Sequence, residues 1–177
     1  GPAVAETDAA SPEEMTGRVA MLTTAKGQLG SEGQILGSDG PEYFTQWYVG
    51  GEYANGWDED TPWCGAFASW TAVQAGADLE RFTPFASTEA GMELFADGTN
   101  GVWMEADEKP LPGDLVFFDW DEEGSEDHGA PDHVGIVTRR DAEMLYTIEG
   151  NCDGRVGACV YDLGDPRILG YGVLAWK

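Results

Sequence analysis

The run Gly113-Asp114-Leu115-Val116-Phe117-Phe118-Asp119-Trp120 is apolar on both faces before it turns acidic. A strand that shows apolar side chains to both sides has to lie inside a sheet with material packed on each face. This segment therefore predicts a central strand leading into a loop, and candidate neighbours follow it in the chain. His133-Val134-Gly135-Ile136-Val137-Thr138 alternates, with His133, Gly135 and Val137 on one face and Val134 and Ile136 on the other. Arg139, Arg140 and Asp141 make a turn, and Leu145-Tyr146-Thr147-Ile148-Glu149-Gly150-Asn151 reads as the next strand of a meander. Glu149 and Asn151 stand two apart, so regular alternation points both the same way.

Upstream, Thr61-Pro62-Trp63-Cys64-Gly65-Ala66-Phe67-Ala68-Ser69-Trp70 reads as the start of a helix. Thr61 suits the N-cap and Pro62 the first helical position, Phe67, Trp70 and Val73 recur at helical spacing, and Gly76 supplies a stop. This reading puts Cys64 at about the third helical position, N3, beside N–H groups that have no partner within the helix. Such groups stabilise an anionic sulfur, and later the oxyanion of a tetrahedral intermediate.

A histidine at the start of an apolar strand supplies the second part of an activated sulfur nucleophile. Gly135, beside His133 on its own face, leaves room for the Cys64 helix to pack closely. Either Glu149 or Asn151 is placed to accept the second imidazole proton and fix the tautomer. Taken singly, each residue has a structural reading: Cys64 a small buried hydrophobe, Glu149 one acid among many, Asn151 a turn residue. Their combination points to chemistry. The other histidine, His128, lies in an acidic, glycine-containing loop and reads as solvated.

At the N-terminus, Gly1-Pro2 has the form of a tag-cleavage remnant, so the chain is expected to be a segment of a longer protein. Residues 1–10 read as that scar and a small, acidic linker, and residues 11–177 as one catalytic domain. Ser11-Pro12-Glu13-Glu14 is a capping-box start, and Met15, Val19, Leu22 and Leu29 form a stripe expected to pack in the core. With 42% hydrophobic residues and seven tryptophans, the chain has the material for a sizeable core. No stretch is long or apolar enough to cross a membrane. The formal net charge of −24 opposes binding to nucleic acid or to an anionic membrane surface.

Four motifs in order, Trp63-Cys64-Gly65-Ala66-Phe67-Ala68-Ser69-Trp70, Pro112-Gly113-Asp114-Leu115-Val116-Phe117-Phe118, Asp132-His133-Val134-Gly135-Ile136-Val137 and Glu149-Gly150-Asn151, resemble the cysteine, histidine-dependent amidohydrolase/peptidase (CHAP) domain. The likeness runs from about the first helix to the closing Gly170-Tyr171-Gly172-Val173 strand. It implies a papain-like α+β fold, with N-terminal helices packed on a C-terminal antiparallel sheet. It also implies hydrolysis of amide bonds in bacterial peptidoglycan, with Cys64 as nucleophile, His133 as general base and then acid, and Glu149 with Asn151 orienting the histidine. Residue Gly65 departs from many relatives, which carry alanine or a bulkier residue there. The nucleophile's surroundings also differ from those usual in the NlpC/P60 branch of papain-like wall peptidases.

The resemblance leaves two bonds open, one inside the stem peptide or cross-bridge and the other between the lactyl group and the first stem residue. It also leaves room for a wall-binding module without turnover. Peptidoglycan is the expected partner, the protein a monomer, and its place secreted or attached to the cell wall. Because the acidic chain repels phosphate-rich wall polymers, recognition is expected in a local groove, with Trp120, Trp47 and Tyr48 as candidate walls. No cofactor or metal is expected. Asp58 and Asp60, which faintly resemble the calcium loop of some relatives, read as a solvated acidic loop. Cys152 and Cys159 flank a turn-rich segment, where they either bridge across a hairpin or remain thiols, and the sequence leaves both open.

Overall fold

In the computed structural model, residues 11–40, 42–50, 62–120 and 129–176 are described. The readings made of the first ten residues, Asp58, Asp60, Thr61 and His128 fall outside them. Among the described residues, four helices, α1 (Pro12–Lys26), α2 (Phe44–Gly50), α3 (Cys64–Gln74) and α4 (Thr88–Ala96), precede six strands. The strands are β1 (Gly101–Glu105), β2 (Leu115–Phe118), β3 (His133–Arg140), β4 (Met144–Cys152), β5 (Arg155–Asp162) and β6 (Ile168–Leu174). They form one sheet in the order β1-β6-β2-β3-β4-β5, antiparallel throughout. The α+β arrangement is the one that the motifs imply.

Helix α1 starts where its capping sequence predicts, with the Ser11 hydroxyl accepting from the Glu14 N–H at 3.1 Å. The Glu14 carboxylate does not fold back to complete a capping box but pairs with Arg18 at 2.9 Å. Arg18 reaches on to Asp114 at 2.8 Å and donates to the Pro112 carbonyl at 2.9 Å, tying α1 to the entrance of β2. This buried pair displaces most of the expected core stripe, of which Leu22 alone still packs against the core. Met15, Val19 and Leu29 are exposed, Val19 by 65%, while Gly17, Arg18, Met21 and Ala25 face inward. The reason is contact: the Trp176 ring lies where a Cβ on Gly17 would stand, so the narrow face of the helix turns toward the protein.

Strand β2 is buried at all four positions, as its two-faced apolarity requires. Leu115 and Phe117 join Val134, Ile136 and Ile148 in the core beneath the helices. Val116 and Phe118 join Val137, Leu145, Ile168 and Tyr171 on the opposite face. Helix α3, apolar nearly all round, lies against β3 and β4 with its first nine residues buried. It ends at Ala75, followed by Gly76 at φ 96°, the stop predicted from the sequence.

The close approach between α3 and the sheet is at Gly150. A Cβ there would collide with Phe67 and stand 3.1 Å from the Trp63 ring. The expectation that Gly135 makes this room is therefore corrected: the group over Gly135 is the Glu149 side chain, its Cγ 2.7 Å from a Cβ built at that position. Gly135 shares the face of His133 that turns away from α3, so it clears space for a neighbouring strand's carboxylate.

Candidate active site

Cys64 is the first residue of α3, with Trp63 at the cap, so it stands at N1 and not near N3 as the sequence reading had it. The first bond within the helix runs from the Phe67 N–H to the Trp63 carbonyl at 2.9 Å, which leaves the N–H groups of Cys64, Gly65 and Ala66 without an intrahelical acceptor. Anion-stabilising donors thus lie on the nucleophile's own turn. Gly65 has a steric cause: a Cβ at this position would run into the Ala86 carbonyl. The segment before α4 is held close by Ser69, whose hydroxyl donates to the Phe85 carbonyl at 2.7 Å and accepts from the Phe85 N–H at 2.8 Å.

His133, the first residue of β3, pairs in register with Phe118, and its ring lies beside those of Phe118 and Trp120, on the sheet face opposite the helices. From that edge its imidazole is hydrogen-bonded to the Glu149 carboxylate, and the Cys64 side chain acts on its charge. The Nε2–Oε1 distance to Glu149 is 2.7 Å, which leaves Nδ1 as the nitrogen on the sulfur side. All three side chains are shielded from water, with Cys64, His133 and Glu149 only 5, 9 and 2% exposed.

Electrostatics follow from this arrangement. Burial works to lower the pKa of His133, but the hydrogen bonds and charges of Cys64 and Glu149 outweigh it and raise the value to about 10. Burial likewise opposes the charge on Glu149, yet the bond to His133 and its positive charge bring that carboxyl below its ordinary range.

The Glu149 carboxylate has two further partners that the sequence reading missed. Oε2 accepts from the Thr147 hydroxyl and, at 2.7 Å, from the Tyr161 hydroxyl. Burial first, then the charge of Glu149, push the Tyr161 phenol pKa up and hold it as a donor. Thr147 was legible in principle, two residues before Glu149 on the same face. Tyr161 was not, because its position depends on the pairing of β4 with β5, which sets it opposite Leu145.

Asn151 does not share the place of Glu149. The register of β4 against β5 shifts between Glu149 and Cys152, and Asn151 sits in this bulge at φ 57° with its side chain exposed. The extra residue breaks the alternation on which the shared direction depended.

The aromatics divide as well. Trp120 stacks on Phe118 with centroids 4.6 Å apart, lies 5.6 Å from the His133 ring, and carries the Arg167 guanidinium 4.5 Å above its own ring. It covers the back of the imidazole. Tyr48 lines an adjoining cavity of about 360 Å³ with Phe85 and Ser87, and Trp47 packs against the core. The cleft that opens on Cys64, about 280 Å³, is walled instead by Ala86, Ser87, Thr88, Glu89, Pro131 and Asp132. Its two sides are joined where the Thr88 hydroxyl donates to the Pro131 carbonyl at 2.8 Å.

Cys152 and Cys159 are free thiols whose sulfurs meet at 3.0 Å. Among the described residues, potential metal-ligand atoms gather at Glu149, Cys152 and Cys159, all within 4.8 Å of one another. No described helix is long and apolar enough to cross a membrane.

No curated protein matches this chain. Among solved structures it is similar to Ly7917 in complex with the hydrolyzing product of MDP, at 15% identity and a TM-score of 0.48. It is also similar to Ly7917 alone, at 14% identity and the same TM-score. In both, the likeness covers 87% of this chain and 61% of the other, so the chain spans less than two thirds of those proteins' length. The CHAP domain matches residues 54–151, a stretch that opens before the Cys64 helix and closes on the strand bearing Glu149. With more than half of its length in that match, the chain belongs to the CHAP domain family.

Proposed function

We propose that the protein is a cysteine-dependent hydrolase of peptidoglycan amide bonds. The observation that carries this reading is a buried His133 imidazole bonded to the Glu149 carboxylate and acted on by Cys64, whose sulfur opens on a cleft. The Cys64 sulfur attacks the scissile carbonyl carbon, and N–H groups of the first turn of α3 receive the negative charge that grows on the carbonyl oxygen. His133, protonated below about pH 10, gives its proton to the leaving amine as the C–N bond breaks. The neutral imidazole then takes a proton from water, whose oxygen attacks the thioester and frees Cys64. Glu149 keeps the ring in one tautomer and stabilises its positive form, while Thr147 and Tyr161 fix the carboxylate.

Within this class we place the scissile bond in the stem peptide or cross-bridge. Glu89 and Asp132 bring carboxylates to the cleft wall, which suits a peptide bearing the free amine of a diamino acid. Such a substrate puts the working protein outside the cytoplasmic membrane, at the wall. A binding module without turnover would have no use for a buried sulfur, imidazole and carboxylate in contact.

Purified sacculi digested with the protein should release fragments whose masses carry new peptide termini. Cys64→Ala should release none while melting as the parent does. Sugar strands stripped of whole stems would instead place the cut at the lactyl amide, and digestion by Cys64→Ala equal to the parent would reject the mechanism.

A further inference from the structure

Two cysteines beyond Glu149 take no part in the proposed reaction. Cys152 ends β4, and Cys159 lies in β5 opposite Thr147, on the face that carries the Glu149 carboxylate. The turn between them holds Asn151 at φ 57° and Asp153 at φ 52°, and Cys152 folds back over the neighbouring strand. Gly157 leaves the way open: a Cβ at this position would stand 3.3 Å from both Cβ and Sγ of Cys152. The two sulfurs are in contact at 3.0 Å, each half-buried.

Two chemistries suit such a pair, and the surroundings separate them. A metal ion would need Glu149 as its third ligand. That carboxylate is already engaged by His133, Thr147 and Tyr161. A disulfide needs only the two sulfurs to close to about 2.05 Å and takes no group away from the site.

We propose that Cys152 and Cys159 form a reversible disulfide that staples the β4–β5 hairpin behind the His133–Glu149 contact and leaves Cys64 as the unpaired thiol. Its importance for the site rests on the reading of Glu149 as the residue that holds His133. The oxidant is a low-molecular-weight or protein disulfide. The Cys152 sulfur, having lost its proton, attacks one sulfur of the oxidant, whose S–S bond breaks and expels a thiolate. Cys159 then loses its proton and attacks the Cys152 sulfur of this mixed disulfide, expelling the second thiolate. The pair gives up two electrons and two protons, one S–S bond forms, and the oxidant leaves as two thiols. The closed bridge restrains hairpin opening, and thereby the strands that carry Thr147, Glu149 and Tyr161.

The test uses the full chain carrying Cys64→Ala, equilibrated with oxidised glutathione or with dithiothreitol. The oxidised protein should be monomeric, lighter than the reduced by two hydrogens, and free of reactive thiols when unfolded. It should melt roughly 5 °C above the reduced form, with slower amide exchange across 145–149 and 156–161. Adding Cys152→Ser and Cys159→Ser should abolish this redox dependence. The proposal is overturned if both thiols persist, if they pair between molecules, or if melting and exchange are the same in both redox states. Zinc(II) protecting both thiols and raising the melting of the reduced chain would assign the pair to a metal and overturn it too. Because Cys64 is absent and no turnover is read, failure here leaves the hydrolase reading standing. Failure of that reading shows separately, as undiminished wall digestion by Cys64→Ala.

Discussion

Across the same strands, the two faces of the sheet solve different problems. Beneath α3 the surface is apolar and close-packed, Val134, Ile136 and Ile148 meeting Phe67 and Ala68, with Gly150 admitting the helix. On the opposite face, one residue along each strand, a buried carboxylate collects a histidine, a threonine and a tyrosine. The apolar face sets where the sulfur stands, the polar face sets how the imidazole is turned, and the charge on the ring answers to both. His133, at the first position of β3, is where the two meet. Nucleophile and positioning group are thus supplied by separate packing systems that meet at one imidazole.

The largest effect should come from breaking the meeting point. Cys64→Ala and His133→Ala should each lower the rate of fragment release by a factor of roughly 10³ or more, with circular dichroism and melting little changed for Cys64→Ala. A fold lost together with activity in Cys64→Ala would mean that the sulfur serves the apolar face alone. Next, Glu149→Gln should reduce kcat by roughly 10²-fold with a smaller change in KM, because it alters the charge and tautomer of His133 without touching the cleft wall. Tyr161→Phe removes one of the donors to that carboxylate and should lower kcat roughly tenfold. Asn151→Ala, on an exposed side chain outside the network, should leave kcat within about twofold of the parent, and a loss as deep as that of Glu149→Gln would restore the role the bulge takes from it.

The paired charges also make stability depend on pH. His133 is raised from 6.5 to about 10 in the folded state, so its contribution is fully present below 6.5 and is lost as the pH rises through about 10. Glu149 is lowered from 4.5, so its contribution is present above that value and disappears as the pH falls through the lower folded one. The pair therefore supports the fold most between 4.5 and 6.5 and weakens to either side. Denaturant unfolding across pH should show this dependence in the parent and a flatter one in Glu149→Gln.

Much of the sheet was legible because its signals are local. Two-faced apolarity marked β2 as central, and alternation placed His133 apart from Val134 and Ile136. The stop at Gly76 and the cap at Ser11 were read from single residues with a known backbone role. What escaped depended on distant contacts. The start of α3 moved two positions because its entry is set by the packing of Trp63 on Phe44 and Gly150. The buried face of α1 turned because Arg18 found Asp114 and Gly17 met Trp176. Among the candidate site residues, Glu149 and Asn151 looked equivalent until the bulge separated them, and Tyr161 entered only through the pairing of β4 with β5. Side-chain chemistry named the candidates, and the register chose among them.

One imidazole thus answers to both systems at once, bonded to the carboxylate and raised in pKa by carboxylate and sulfur together. An NMR titration of the His133 ring in the intact chain reads this coupling. The midpoint should lie near 10 and fall in Cys64→Ala and again in Glu149→Gln. A midpoint at the ordinary 6.5 in the parent, unmoved by either substitution, would contradict it.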